Sequence, residues 1–460
     1  MRRPNVLLIQ TDQQRWDALG AAGNPYIHTP NLDRLAASGA LMENAFCNNP
    51  VCMPSRQSML SGLYPSALGC NTNGVEMSEN TLTLQKVLQL VGYYTANIGK
   101  LHFKNHSNRD HREYHPAYNF DTLILSDEPG CYDDAYIKWV EEKAPEQVEN
   151  CRVSTPPVSL MRKIDKQPRN THEPYIFEGP EELTHSAFVA EETVEFIRQQ
   201  PDGGRPFFAI AGFYAPHAPL NPPKRFVEMY EIESMPEPHQ GDGEGRPDLA
   251  DVDWKKVKAY YYALVSHVDC EVGKILDALD ETGLRDNTLI IFTSDHGEHL
   301  GDHCEVQKGP PGFDSCIHVP LIFSLPGKIE AGKRFGELVE LVDLAPTVLD
   351  FCGIQTPPEW QGKSLRALLE GREFEARDSV FFEFHAPYGT STKGVRTHEY
   401  KYIATNGGQE HLYDLTKDPH ELVNLAETRD AADLLHAGRA ELLKRLFDVE
   451  AQFPRPSGAY

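Results

Sequence analysis

The sequence predicts an α/β fold: a large, mostly parallel sheet sandwiched by helices, followed by a smaller C-terminal antiparallel sheet with one covering helix. Three observations predict it. Uniformly apolar runs such as NVLLIQ (5–10), FFAIAGFY (207–214) and LIIFTS (289–294) read as strands buried on both faces. Between them lie segments whose apolar residues recur at helical spacing, the alternation expected of a parallel sheet with helices on its faces. After about residue 375 the texture changes to short aromatic strands separated by turn residues.

The elements follow in order. NVLLIQ opens the sheet. TPNLDRLAASGA (29–40) predicts a helix that starts at Pro30 or Asn31 and stops at Gly39. A short helix from about Pro54 to Leu60 ends at Gly62, so Cys52 lies just ahead of it. Leu84, Val87, Leu88 and Val91 fall at i, i+3, i+4 and i+7, with Gly92 as the stop. YYTANIG (93–99) and PFFAIAGFY (206–214) supply two more strands. A long helix is predicted from about Asp253 to Thr282, with Val257, Tyr261, Leu264, Val268, Val272, Ile275 and Leu279 on one face. NTLIIFTSD (287–295) and VPLIFSLPG (319–327) are further strands. Two segments, about 103–180 and 231–252, read as irregular insertions, serving either as rims and lids of a site or as solvated loops. His106, Arg109, His111, Arg112, His115 and Tyr118 are the residues of the first that could line a pocket. SVFFEFH, KGVRTHEYKYIAT and HLYDLTKDP predict the small sheet, and a helix from about Ala431 to Phe447 covers it. The expected division is a catalytic domain over 1–375 and an α+β subdomain over 376–460.

Composition narrows the function. With 40% apolar and 24% charged residues the chain is of ordinary globular type. No apolar run approaches the roughly 18 residues of a membrane helix, and the run Val6 to Ile9 is too short for a signal-peptide core. A cytoplasmic location is expected, or else a mature form without its leader. The net charge of −24 argues against nucleic acid as a partner, while leaving room for a local cationic pocket that takes a small anion. Nine cysteines, an odd number without a CxxC pair, predict free thiols in a reducing compartment.

The chemistry gathers where strands end. NVLLIQ runs into Thr11, Asp12 and Gln13; TANIG into Lys100 and His102; FFAIAGFY into His217; LIIFTS into Asp295 and His296. In an open parallel sheet the carboxyl ends of the strands share one edge, and ligands bind in the crevice there. Asp12, Gln13, Asp295 and His296 offer carboxylate, amide and imidazole donors suited to a divalent cation. Arg56, Lys100 and Lys308 offer positive charge for a tetrahedral oxyanion, and His102 and His217 can move protons near neutral pH. Cys52, between Pro50 and Pro54, is the puzzle. A helix start would favour its thiolate as a nucleophile, yet a thiolate is softer than this oxygen-rich site favours.

Cys52-Met53-Pro54-Ser55-Arg56, with Leu60-Ser61-Gly62 and Pro65 after it, resembles the sulfatase signature, in which a C-x-P-x-R cysteine is oxidised to formylglycine. NVLLIQTDQQR, GKLHF (99–103), PHAPL (216–220), SDHGEHLGDH (294–303) and the late YKYIAT and LYDLTKDPHELVNLA are similar to the family's other motifs, so the resemblance spans nearly the whole chain. It implies an alkaline-phosphatase-like fold, a sulfate ester as substrate, small or carbohydrate, and a formylglycine-generating maturation enzyme as partner. It further implies that Cys52, as the aldehyde hydrate, supplies the nucleophilic oxygen and a metal ligand, with Arg56 steadying its oxygens. Attack on sulfur would release the alcohol and leave a sulfated hemiacetal, from which His102 would expel sulfate. His217 would protonate the leaving oxygen, and Lys100 and Lys308 would grip the sulfate. Three positions depart from the family's usual pattern: Gln13 for a second Asp, His296 for Asn, and Ser61 for Thr. The first two leave Ca2+ as the expected ion, with Mn2+ or Mg2+ as alternatives. A phosphonate monoester or phosphodiester hydrolase of the same superfamily is the nearest rival, although such enzymes tend to lack the pair Lys100 and His102. A non-catalytic binder of sulfated ligands and a hydrolase using unmodified Cys52 are the remaining alternatives.

Overall fold

The computed structural model describes residues 3–105, 115–129, 134–152, 172–201, 203–241, 245–385 and 389–450. Eight strands form one sheet in the order β4-β3-β5-β1-β6-β7-β2-β8. They are β1 (Asn5–Asp12), β2 (Ala40–Phe46), β3 (Tyr94–Gly99), β4 (Thr122–Leu125), β5 (Phe207–Pro216), β6 (Thr288–Ser294), β7 (Leu321–Ser324) and β8 (Lys333–Glu340). Only β7 runs antiparallel to its neighbours, β6 and β2; the other pairs are parallel.

Why the central strands are apolar throughout is visible in the pleat, which sends successive side chains to opposite faces. From β1, Leu7 and Ile9 enter one core while Val6 and Leu8 enter the other; β5 divides Ala209 and Ala211 from Phe208 and Ile210 in the same way. Helices close both faces. On the first lie α5 (His185–Arg198) and α6 (Trp254–Glu281); on the second lie α2 (Cys52–Ser61), α3 (Leu84–Leu90) and α7 (Leu344–Phe351). The helix α1 (Pro30–Ala37) packs on α6, and α4 (Ala135–Lys143) on α5. The long helix carries Asp253 as its cap, the side chain accepting from the Lys256 N–H, and all seven residues assigned to its inner face are buried.

The four strands β9 (Val380–His385), β10 (Ser391–Arg396), β11 (Tyr400–Thr405) and β12 (Glu410–Asp414) make a second, antiparallel sheet in the order β12-β11-β10-β9, covered by α8 (Ala432–Val449). Phe382, Ile403 and Tyr413 belong to the same apolar cluster as Leu8 and Phe208 of the large sheet, so the two sheets share a core. A buried polar joint adds to it. Glu340, at the end of β8, accepts from the Phe381 N–H and pairs with Arg377 and with Arg445 of α8, both at 3.0 Å.

The segment 103–180 is corrected in part. Its described portion adds β4 to the edge of the large sheet and α4 to its face, rather than forming loop alone. Of the pocket candidates there, His106, Arg109, His111 and Arg112 lie outside the described residues, while Tyr118 packs edge-on against Phe103. His115 bonds the Pro116 carbonyl. The segment 231–252 lies against the loop that follows β6: Asp302 accepts from the His239 N–H, the Gly301 carbonyl accepts from Gln240, and Lys258 of α6 donates to the Pro236 carbonyl.

Candidate active site

Four neighbouring strands, β3, β5, β1 and β6, end side by side along one edge of the sheet, and each delivers polar residues there. The close approach of β3 and β5 makes this edge. Gly99 has φ 88° and a Cβ on it would stand 2.2 Å from the Gly212 carbonyl oxygen, so glycine lets the chain turn into Lys100 against β5. One ligand atom from each of Asp12, Cys52, Asp295 and His296 lies within 4.8 Å of the others, and all four residues are buried.

Cys52 is the first residue of α2, two positions earlier than the start at Pro54 expected from sequence. Its Sγ lies 3.2 Å from His296 Nε2, 3.0 Å from Lys308 Nζ and 3.7 Å from Asp12 Oδ1. Burial, and then Asp12, push the thiol up to about 12 despite both lysines. Among these side chains an unmodified thiol is not readily ionised, whatever the helix start contributes. α2 is fastened to β6 through Ser55, whose hydroxyl donates to the Asp295 carbonyl at 2.6 Å.

Arg56 is fully buried. Its Nε donates to Asp295 Oδ2 at 2.6 Å, its Nη2 to Asp12 Oδ2 at 3.3 Å and its Nη1 to the Lys100 carbonyl at 3.1 Å. The fork therefore braces the two carboxylates beside residue 52. Lys100 Nζ stands 2.9 Å from Asp12 Oδ2 and 3.4 Å from Glu128 Oε1, over the Tyr214 ring. Burial opposes ionisation of Asp12, but Lys100, Lys308, His217 and Arg56 outweigh it and hold the carboxyl well below its ordinary range. Lys308, placed in sequence only by its distance after Asp295, donates to Gln13 Oε1 at 2.8 Å as well as reaching Cys52.

Of the two candidate proton carriers, His217 acts on this group. His217 hydrogen-bonds the Ala218 carbonyl through Nδ1 at 2.7 Å, and desolvation followed by Lys308 lowers its pKa to about 3. The resting imidazole is neutral. His102 adopts φ 56°, and its N–H and that of Leu101 both donate to Asp127 Oδ1, at 2.8 and 2.9 Å.

The donor set fits a divalent cation. His296 Nδ1 bonds the Gly297 carbonyl at 2.9 Å, which makes Nδ1 the protonated nitrogen and turns the Nε2 lone pair inward. That lone pair faces Asp12 Oδ1 at 3.6 Å and Asp295 Oδ1 at 3.7 Å. Burial lowers the imidazole's pKa, so a proton is a poor occupant of the space among these three acceptors. A cation is the complementary one. Gln13 joins them with its N–H on Asp295 Oδ1 at 3.1 Å.

The sequence reading missed four contributors. Asp127 and Glu128 come from the segment read as irregular, and Tyr214 was taken only as part of a strand. Glu298 lay in plain view inside SDHGEHLGDH, where its two-residue spacing from His296 was the available signal; it accepts a hydrogen bond from the Gln13 amide.

Sheet order and site together define an α/β hydrolase of alkaline-phosphatase-like architecture. The crystal structure of the phosphonate monoester hydrolase of Agrobacterium radiobacter superposes with a TM-score of 0.82 at 27% identity, covering 97% of this chain and 96% of that one. The chain belongs to the sulfatase family: the sulfatase family model matches residues 4–354, and the model for the C-terminal part of N-sulphoglucosamine sulphohydrolase matches 312–451. An arylsulfatase of Clostridium perfringens is 34% identical over 96% of this chain and 94% of its own length. The multifunctional alkaline phosphatase superfamily protein PehA of Trinickia caryophylli is 30% identical over 93% and 92%. The enzyme class is that of the sulfuric ester hydrolases.

Proposed function

We propose that the protein cleaves a small-molecule or carbohydrate sulfate monoester to an alcohol and inorganic sulfate, with residue 52 matured to formylglycine. Asp12, Gln13, Asp295 and His296, beside residue 52, would hold the divalent cation, calcium by the family's habit and manganese or magnesium by the amide and imidazole donors. The observation that carries this reading is the convergence of four buried ligand atoms within 4.8 Å, with Lys308 Nζ 3.0 Å from the side chain to be modified.

Bound there, the cation would polarise a sulfate oxygen, and the hydrated aldehyde would supply an oxygen nucleophile in place of the thiol. The remaining work falls to side chains already in position. Arg56 keeps both carboxylates aimed at the same point. Lys100 and Lys308 hold the anionic sulfate as point charges. An entering sulfate offsets the two lysines that depress His217, which raises its proton affinity so that it can pass a proton to the departing alcohol oxygen. His102 takes the proton of the residue 52 hydroxyl. Every residue from Cys52 to Ser61 is buried, so a maturation enzyme reading this signature must meet the chain before it folds.

The rival reading, a phosphonate monoester hydrolase, is favoured by the superposition on that enzyme and by the relative PehA. Lys100 and His102 weigh against it. Co-expression with a formylglycine-generating enzyme, followed by side-by-side rates on 4-nitrophenyl sulfate and a 4-nitrophenyl phosphonate monoester, decides. Preference for the sulfate is expected; a large preference for the phosphonate would overturn the assignment.

A further inference from the structure

Every polar atom of Gln13 is engaged. Its N–H donates to Asp295 Oδ1 at 3.1 Å, and its carbonyl accepts from the Tyr261 hydroxyl at 2.7 Å. Its Oε1 accepts from Lys308 Nζ at 2.8 Å, and its Nε2 donates to Glu298 Oε2. The residue is 1% exposed and sits at φ 71°, a conformation that costs a non-glycine side chain roughly 1 kcal/mol or more and persists only where the surroundings dictate it. An amide can be turned either way round, but here one end meets an ammonium, which only donates, and the other meets a carboxyl oxygen that accepts. Only one orientation satisfies both. Glu298 is itself fixed: it is 7% exposed, Oε1 accepts from the Leu300 N–H at 3.2 Å, and its backbone carbonyl accepts from Arg15.

We propose that Glu298 is a positioning residue of the cation site, locking the Gln13 amide with its oxygen toward Lys308 and the cation and holding, one residue back, the acidic group that the glutamine itself lacks. This rests on the reading of Asp12, Gln13, Asp295 and His296 as cation ligands.

Its test is the dissociation constant of the matured, chelator-stripped protein for Mn2+, followed by electron paramagnetic resonance of the free ion, so the readout is independent of turnover. Loss of an outer-shell partner commonly costs roughly 10- to 100-fold in metal affinity. Glu298→Leu should raise the Mn2+ dissociation constant by about that factor. Glu298→Gln, which keeps an acceptor oxygen but no charge, should raise it less. The exchange Gln13→Glu with Glu298→Gln should restore most of the loss, because it puts the acid on the ligand and the amide behind it; a merely structural role would give no such rescue. If Glu298→Leu does not fold, Glu298→Gln and the exchange still decide. Unchanged Mn2+ affinity in Glu298→Gln and Glu298→Leu, or failure of the exchange to recover a loss seen in Glu298→Gln, overturns the inference. A wild-type protein that binds no Mn2+, Ca2+ or Mg2+ overturns instead the proposed cation site, and the two failures are thereby distinguished.

Discussion

Arg56 is where the placement of one side chain makes the sharpest demand. If its fork serves the carboxylates, replacing it must destabilise the protein even when residue 52 has never been modified. The perturbation is Arg56→Lys in a Cys52→Ala background, which removes both maturation and the thiol. In the parent, the guanidinium makes two charge-assisted bonds, to Asp295 at 2.6 Å and Asp12 at 3.3 Å, and a third bond to the Lys100 carbonyl at 3.1 Å. A lysine is a single point donor and can replace at most one of the carboxylate bonds. Leaving a fully buried carboxylate without its partner costs about 3–5 kcal/mol; Lys100 still compensates Asp12 at 2.9 Å, so the lower end, about 3 kcal/mol, is expected. The assay is chemical denaturation in chelator at pH 7.5, comparing midpoints at constant slope. A difference below about 0.5 kcal/mol, an ordinary surface value, would refute the bracing role. Arg56 would then act on residue 52, as the family resemblance alone implies.

Two further outcomes follow from the same geometry. Iodoacetamide should leave the activity of fully matured enzyme intact while Cys52→Ser abolishes it; inactivation by iodoacetamide, tracked by a mass spectrum of the peptide carrying residue 52, would favour a thiol nucleophile. Stability should fall between pH 7 and pH 5. Burial lowers His185, His267 and His299 to about 3 each, whereas unfolded histidine titrates near 6.5, so the unfolded chain binds the extra protons in that window and stability rises with pH across it. For one such group the loss from pH 7 to pH 5 is about 2 kcal/mol by linkage, and His267→Gln should remove about that much of the pH dependence of the chelated protein's denaturation midpoint.

What could be seen in the sequence was what burial on both faces writes there. β1, β5 and β6 carry apolar side chains to two cores and so read as continuous runs, and their ends are legible because polar residues begin where the strands leave the sheet. β8 was missed because its first half is largely exposed and charged at the sheet's edge. β2 was missed because Glu43 and Asn44 break its apolar run where its register against β8 shifts. β4 has four half-buried residues and an apolar run of only three, Leu123 to Leu125. In the site, Asp12, Lys100, His217, Asp295 and His296 were legible from position, but the partners of Arg56 were not. They depend on how α2 docks against the end of β6, which no local pattern records. Composition and spacing also left the chemistry of Cys52 open between thiolate and modified residue; only the family signature distinguished them.

The balance of charge in the cleft makes the case for an anionic ester from another side. Arg56, Lys100 and Lys308 bring three positive charges to the carboxylates of Asp12 and Asp295, with Glu128 as a third 3.4 Å from Lys100, inside a chain whose net charge is −24. Three cations against three carboxylates leave the cleft near balance. A divalent cation at Asp12 and Asp295 would bring a positive excess, and a sulfate monoester carries only one charge to set against it. Gln13, where the family commonly has a second aspartate, removes one compensating charge from the ligand shell. Glu298, bonded to that glutamine, is the nearest acidic group able to return it. Burial raises the Glu298 pKa while Gln13 and Lys308 act to lower it, so an added cation next to Gln13 draws this carboxyl toward its ionised form. On the proposed cation site, cation, substrate and Glu298 would thus be coupled through one side chain, that of Gln13.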